Sequence, residues 1–111
     1  MHPPDLAVEI GNLRALAHTL AIAGRRHEAT DVLNRLKGIS GSLQPGASGW
    51  LDWNLALAYA GLGDKERAFE YLTRAYEKQE RALAYVKVDP LVDSLRTDSR
   101  YAFLLKKIGL L

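Results

Sequence analysis

A set of residues in the first third of the chain recurs in the second half at one constant interval, the separation of residues 16 and 55. The recurring residues are Leu16-Ala17, Leu20, Gly24, Ala29 and Leu33, matched by Leu55-Ala56, Tyr59, Gly63, Ala68 and Leu72. Self-similarity at a fixed interval is typical of proteins built from repeated supersecondary units. We therefore expect residues 16 and 55 to have like surroundings in the folded chain.

The spacing of apolar residues predicts that each copy is a pair of helices. Apolar side chains recur at steps of three and four in both halves of each copy, which places them on one helix face. Gly24 and Gly38 end the two helices of the first copy, and the turn at Gly24 is very short. A short turn between helices favours antiparallel packing, so residues 4–38 are predicted to form a first hairpin that begins near Pro4.

Glycine and serine mark the connection to the second copy. Residues 39–49 are rich in both and are predicted to be a loop. The second hairpin then covers residues 50–79, and residues 80–111 are expected to cap its exposed apolar face. Within the cap, Ala82 to Val88 reads as a short helix, Asp89-Pro90 as a helix start, and Asp98 as the start of a last helix that Gly109 closes.

Composition narrows the functional classes. Hydrophobic residues make up 48% and charged residues 25% of the 111, the balance of an ordinary globular domain. Cysteine is absent, which excludes thiol nucleophiles, disulfides and zinc–thiolate sites. The net charge is only +2, with basic and acidic residues interleaved, so we do not expect nucleic-acid binding. Neither a signal peptide nor a membrane-spanning run is present in the sequence, and we expect a cytoplasmic location without membrane insertion.

The second copy resembles the tetratricopeptide repeat through a series of matches to its consensus. These residues are Leu55, Ala56, Tyr59, Gly63, Ala68, Leu72 and Ala75. The copy departs from the consensus at Asp52, which stands where the repeat has Trp, with Trp53 one step later. The resemblance implies an all-α fold, a right-handed superhelix of helical hairpins. Residues 57–69, 85–91 and 93–98 also look like the C-terminal repeat segment of bacterial multidomain regulators, which implies an interaction module.

The resemblance also implies a binding groove lined by the first helix of each hairpin. The predicted groove residues are Arg14, His18, Ile22, Trp50, Trp53, Asn54 and Leu57. Arg14 and Asn54 occupy positions where related repeats that hold a peptide carboxylate carry a basic residue and an asparagine. Two tryptophans three residues apart would offer broad, stiff contact surfaces for a protein or peptide partner.

Other interpretations of these residues stay open. Trp50 and Trp53 could be core residues, because large aromatic side chains are mostly buried. His2, His18 and His27 are too scattered for a metal set, and no nucleophile or acid–base constellation occurs, so we expect no metal, no cofactor and no enzymatic activity. The alternative to peptide binding is a structural role in which the apolar surface serves homodimerisation.

Overall fold

The computed structural model describes residues 6–39 and 48–109, together with the side chains of that part except those of Leu6, Ala7 and Leu91. All regular elements of that part are helical, which confirms the predicted all-α class for it. Four long helices come first, α1 (Leu6–Ile22), α2 (Arg26–Gly38), α3 (Ser48–Leu62) and α4 (Lys65–Glu77). Two 3₁₀ helices (Arg81–Tyr85 and Pro90–Leu95) and α5 (Ser99–Ile108) follow. None of these helices is long and apolar enough to cross a membrane.

Several predicted boundaries are shifted in the structure. α3 begins at Ser48, inside the predicted loop 39–49, and residues 40–47 lie outside the described part, as does Pro4. The predicted short helix at 82–88 is a 3₁₀ helix that ends earlier, at Tyr85. The second 3₁₀ helix begins at Pro90 as predicted, because proline lacks the amide hydrogen that a first helical residue does not need.

The turns of the two hairpins have the same backbone geometry, 39 residues apart from Gly24 to Gly63. Both glycines have φ of +79°, in the left-handed region. In the first turn the amides of Gly24 and Arg25 donate to the carbonyl oxygens of Ala21 and Leu20, at 3.1 and 2.9 Å. The second turn repeats both bonds at Gly63 and Asp64, at 3.1 and 3.0 Å. This pair of bonds ends a helix and reverses the chain, so the sequence repeat is also a structural repeat at the turns.

Aspartates precede the first residues of α4 and α5, and the start of α5 at Asp98 was predicted from the sequence. The Asp64 carboxylate accepts a hydrogen bond from the Arg67 amide at 3.2 Å, and the Asp98 carboxylate accepts one from the Arg100 amide at 2.9 Å. Hydrogen bonds from the Arg100 side chain and then from its backbone lower the pKa of Asp98 to about 2. Gly109, with φ of +81°, ends α5 where it was predicted to end.

Helix α3 is the centre of the molecule. It packs against α1, α2, α4 and both 3₁₀ helices, and every residue from Leu51 to Ala60 is buried. The C-terminal segment is tied to it by Ser94, whose hydroxyl donates to the carbonyl oxygen of Ala60 at 3.2 Å. Asp52 is the one charged residue of α3, which explains why the helix can be enclosed.

Residues related by the repeat are equally buried at the helix crossings, but not on the outer side of α1. Ala17 and Ala29 are fully buried, like their counterparts Ala56 and Ala68. Leu16, however, is 44% exposed whereas Leu55 is 2% exposed, so the expectation of like surroundings for these two residues is wrong. Leu55 lies on α3, against which α2 packs, whereas within the described part of the chain no preceding hairpin covers the corresponding side of α1.

Alanine at either turn glycine should destabilise the protein by a similar amount. A left-handed backbone costs a residue with a β-carbon about 1–2 kcal/mol, so Gly24→Ala and Gly63→Ala should each lower the free energy of unfolding by that much. Gly38→Ala is the matched control, because Gly38 is helical and no atom of the described residues lies within 4 Å of an added β-carbon. It should be neutral or stabilising. Urea unfolding followed by circular dichroism measures all three, and a neutral effect at Gly24 or Gly63 would contradict the shared turn.

Candidate peptide-binding cleft

The predicted groove residues on α3 are mostly inside the protein. Trp53, Asn54 and Leu57 are 6%, 3% and 3% exposed, and Trp50 is partly buried. The expectation that α3 presents these side chains to a partner is wrong as regards their exposure, because α1 and the C-terminal segment both pack against α3. For Trp53 the alternative interpretation as a core residue is confirmed. A role of these positions in binding stays a prediction.

Arg14 and Asn54 do meet, but they join two helices. Arg14 Nε donates to Asn54 Oδ1 at 3.0 Å, and Asn54 Nδ2 donates to the carbonyl oxygen of Trp50 at 2.9 Å. Both ends of the buried Asn54 amide are therefore hydrogen-bonded within the protein, as a buried amide requires. The two residues link α1 to α3, and the amide group is already used.

The remaining two predicted residues, His18 and Ile22, lie on α1 and differ in exposure. Ile22 is 73% exposed at the end of the helix. His18 is partly buried and faces Gly61 of α3, where an added β-carbon would lie 2.7 Å from His18 Nδ1. That nitrogen is buried and has no hydrogen-bond partner among the described residues. The seven predicted residues thus do not form one continuous open surface.

An open cleft is found elsewhere, between α2 and α4 with α3 as its floor. It contains a cavity of about 360 Å³ at one end and one of about 250 Å³ at the other. The first cavity is lined by Arg26, Thr30, Leu33, Asn34, Lys37, Tyr59, Leu62, Asp64 and Arg67. The second is lined by Lys37, Ser48, Leu51, Asp52, Leu55, Tyr71, Arg74 and Lys78. Lys37 lines both cavities, so we treat them as one feature, the α2–α4 cleft.

Two stacked tyrosines with cations over their rings lie along this cleft. The rings of Tyr59 and Tyr71 are 5.6 Å apart and nearly parallel, at 8°. Lys37 Nζ is 5.3 Å from the centre of the Tyr59 ring, and Arg74 Cζ is 4.9 Å from that of Tyr71. A side-chain hydrogen bond with Tyr59 is the main reason why the pKa of Lys37 lies above its ordinary value. The stack holds the long cationic side chains in place, since cations are attracted to aromatic faces.

The cations of the cleft differ in how they are neutralised. Lys78 Nζ is 2.6 Å from the buried carboxylate of Asp52, and Arg67 Nη1 is 3.0 Å from Asp64. Arg26 Nη1 instead donates to the carbonyl oxygen of Leu62 at 2.7 Å. Among the residues that the structure describes, neither Arg26 nor Lys37 pairs with a carboxylate. Both cations are therefore available to an anionic group in the cleft.

Metal-ligating side chains are not clustered in the described part of the molecule. No group of three or more histidine, aspartate or glutamate side chains within residues 6–39 and 48–109 could hold a metal ion. The lining of the cleft offers cationic donors and tyrosine faces, which suit the recognition of a peptide by hydrogen bonds and stacking.

The α2–α4 cleft was not predicted from the sequence, although the spacing of residues along α4 gives one indication of it. The residues Arg67, Tyr71, Arg74 and Lys78 follow each other at steps of four, three and four. This spacing puts three cations and an aromatic ring on one side of α4 and its C-terminal end. The cleft still needs α2 and α3 for its other walls, and their relative placement is not visible in such a stripe.

Comparison of the chain with protein-family models, with curated proteins and with solved structures finds no match. The tetratricopeptide resemblance therefore stays a prediction that rests on the sequence.

Alanine at Gly61 should stabilise α3 less than alanine at a helical glycine with free space around it. Alanine favours a helix over glycine by about 1 kcal/mol. Gly11→Ala on α1 should gain up to that amount, because no described residue lies within 4 Å of its new β-carbon. Gly61→Ala should lose the gain or become destabilising, because the His18 ring must shift. When His18→Ala is added, Gly61→Ala should regain the stabilisation expected of alanine at a helical glycine. A double-mutant cycle of thermal unfolding measures this effect. Additive effects of the two substitutions would show that the His18 ring does not occupy this space.

Proposed function

We propose that this chain is a helical-repeat interaction module that holds a peptide or a segment of a protein in the α2–α4 cleft. The observation that carries the proposal is the cleft itself, two cavities in line that share Lys37 and are walled by both hairpins. The tetratricopeptide resemblance supports the same function, and we extend the proposal to a right-handed stacking of the hairpins and to a place in a bacterial regulatory protein.

The walls of the cleft suit recognition because they are parts of packed helices. The floor residues Leu51, Leu55 and Leu62 are each at most 6% exposed and are fixed in the core. The donors above them make ring contacts and ion pairs, which restrict side-chain freedom before a ligand binds. Such preorganisation favours affinity.

A peptide screen followed by nuclear magnetic resonance tests this function. Peptides selected from a random library on the immobilised chain should shift the amide resonances of residues lining the cleft on α2 and α4. Lys37→Ala should weaken the selected peptides about tenfold, since central interface residues often contribute more than 1 kcal/mol. Lys106→Ala, at an exposed lysine of α5, is the control and should leave affinity unchanged. Shifts confined to Arg14, Trp50 and their neighbours would contradict the cleft and favour the groove predicted from the sequence.

A second candidate function, homodimerisation, is favoured by the outer side of α1. Val8, Leu16 and Ile22 are 58%, 44% and 73% exposed. They lie on one helical stripe with the small exposed residues Ala15 and Thr19, and the stripe carries no charge. Its counterparts on α3 after the 39-residue displacement include Leu55 and Ala58, which are buried in the core. An uncharged stripe can pack against its own copy without like-charge repulsion.

Light scattering over a concentration series tests the dimer. If α1 pairs with α1 of a second copy, the mean mass should rise with concentration, and Leu16→Glu should keep the chain monomeric because it places a charge in the contact. Phe103→Glu is the matched control, since Phe103 is similarly exposed, at 62%, on α5. A monomeric mass at every concentration rules out this function without affecting the cleft.

A further inference from the structure

We propose that the ligand of the α2–α4 cleft is an acidic peptide segment, extended along the cleft with its carboxylates against Arg26, Lys37 and their neighbours. This inference rests on the proposed function and adds the chemical class of the ligand. It follows from the charge of the lining, the length of the cleft and the charges outside it.

The described lining of the two cavities is strongly cationic, although the chain as a whole carries a net charge of only +2. Five cations line the two cavities, namely Arg26, Lys37, Arg67, Arg74 and Lys78. Three of them are paired with a carboxylate within 3.0 Å, Lys78 with Asp52 and Arg67 with Asp64 of the lining, and Arg74 with Glu70 beside it. Among the described residues, Arg26 and Lys37 have no such partner and form the cationic excess of the cleft. Within a concave site such an excess attracts anionic groups more strongly than the same charges do on an open surface.

Arg26 and Lys37 are the groups that would bind carboxylates directly. The bond from Arg26 Nη1 to the Leu62 carbonyl oxygen fixes its guanidinium at one end of the cleft while leaving other N–H groups unused. Lys37, where the two cavities meet, is oriented by the Tyr59 ring. Charge-assisted hydrogen bonds to prepositioned cations are stronger than those between neutral groups.

The dimensions favour an extended peptide over a single small anion. From Arg26 to Lys37 the axis of α2 rises about 16 Å, taking 1.5 Å per residue. A peptide in extended conformation spans about 3.3 Å per residue, so roughly five residues fit along this wall. Because the second cavity continues from Lys37 to Lys78, the cationic lining is distributed along a path and does not converge on one point.

The surroundings of the cleft disfavour a nucleic acid. Exposed carboxylates lie on α2 and α4 outside the lining, among them Asp31, Glu66 and Glu77. A nucleic acid carries a phosphate at every nucleotide and extends beyond a cleft of this length, so exposed carboxylates of the same helices would repel it. A short acidic segment confines its negative charge to the cleft and avoids that repulsion.

Fluorescence anisotropy with defined probes tests the ligand class. The probes are a labelled peptide with a run of five alternating Asp and Glu residues between Gly-Ser flanks and its Asn/Gln analogue, which has the same size without the charge. We expect the acidic peptide to bind at least tenfold more tightly, and its affinity to fall as salt concentration rises. Equal affinity for the two peptides would overturn the proposal. So would tighter binding of a single-stranded oligonucleotide of similar length.

A pair of double variants locates the binding. Arg26→Gln with Lys37→Gln should weaken the acidic peptide at least tenfold. Arg35→Gln with Lys106→Gln removes the same charge from exposed positions outside the cleft and should have little effect. Circular dichroism confirms that both variants are folded. An equal loss in both pairs would overturn the proposal, because the attraction would then come from overall charge.

The outcomes for the ligand class and for the proposed function can be told apart. If neutral library peptides shift the cleft resonances while the acidic probe does not, the α2–α4 cleft binds peptides but the acidic class is wrong. If neither kind of peptide shifts them, the peptide-binding function itself is contradicted.

Discussion

The structure depends on the enclosure of α3. A helix buried on all sides must either lack polar side chains or satisfy each of them from its neighbours, because an unpaired polar group in the interior is costly. Apart from its aromatic residues, α3 buries two polar or charged side chains, and each is satisfied from a different direction. Asn54 is hydrogen-bonded by Arg14 from α1, and Asp52 is paired with Lys78, just after α4. These two polar contacts constrain how α1 and the C-terminal end of α4 are placed against α3.

The α2–α4 cleft is a consequence of this arrangement. α2 and α4 each follow a turn of the same geometry, and both pack against the central helix α3. They therefore border a shared space above α3. The stacked pair of Tyr59 and Tyr71 fills part of that space, and cations from both flanking helices gather at it. The same packing that stabilises the core therefore also creates the cationic surface for which we propose a ligand.

Local features could be predicted from the sequence because they depend on neighbouring residues only. The left-handed glycines at 24 and 63 and the aspartate at the start of α5 follow from backbone sterics and hydrogen bonding within one turn. The exposure of Trp53 and Leu57 could not be predicted, since the C-terminal segment that packs against α3 consists of two 3₁₀ helices without a clear apolar period. Leu16 shows a further limit, because periodicity identifies an apolar side of a helix without showing what covers it. The cleft was missed because its lining comes from three helices.

Native-state hydrogen exchange tests the central role of α3 most directly. Amides of a helix that every neighbour encloses can exchange only when the whole structure opens, so residues 51–60 should exchange most slowly and at the rate set by global unfolding. Amides of α5, which packs against α4, should exchange faster through local opening. Exchange in α3 that is as fast as in α5 would contradict the account, because it would mean that α3 opens without unfolding the rest.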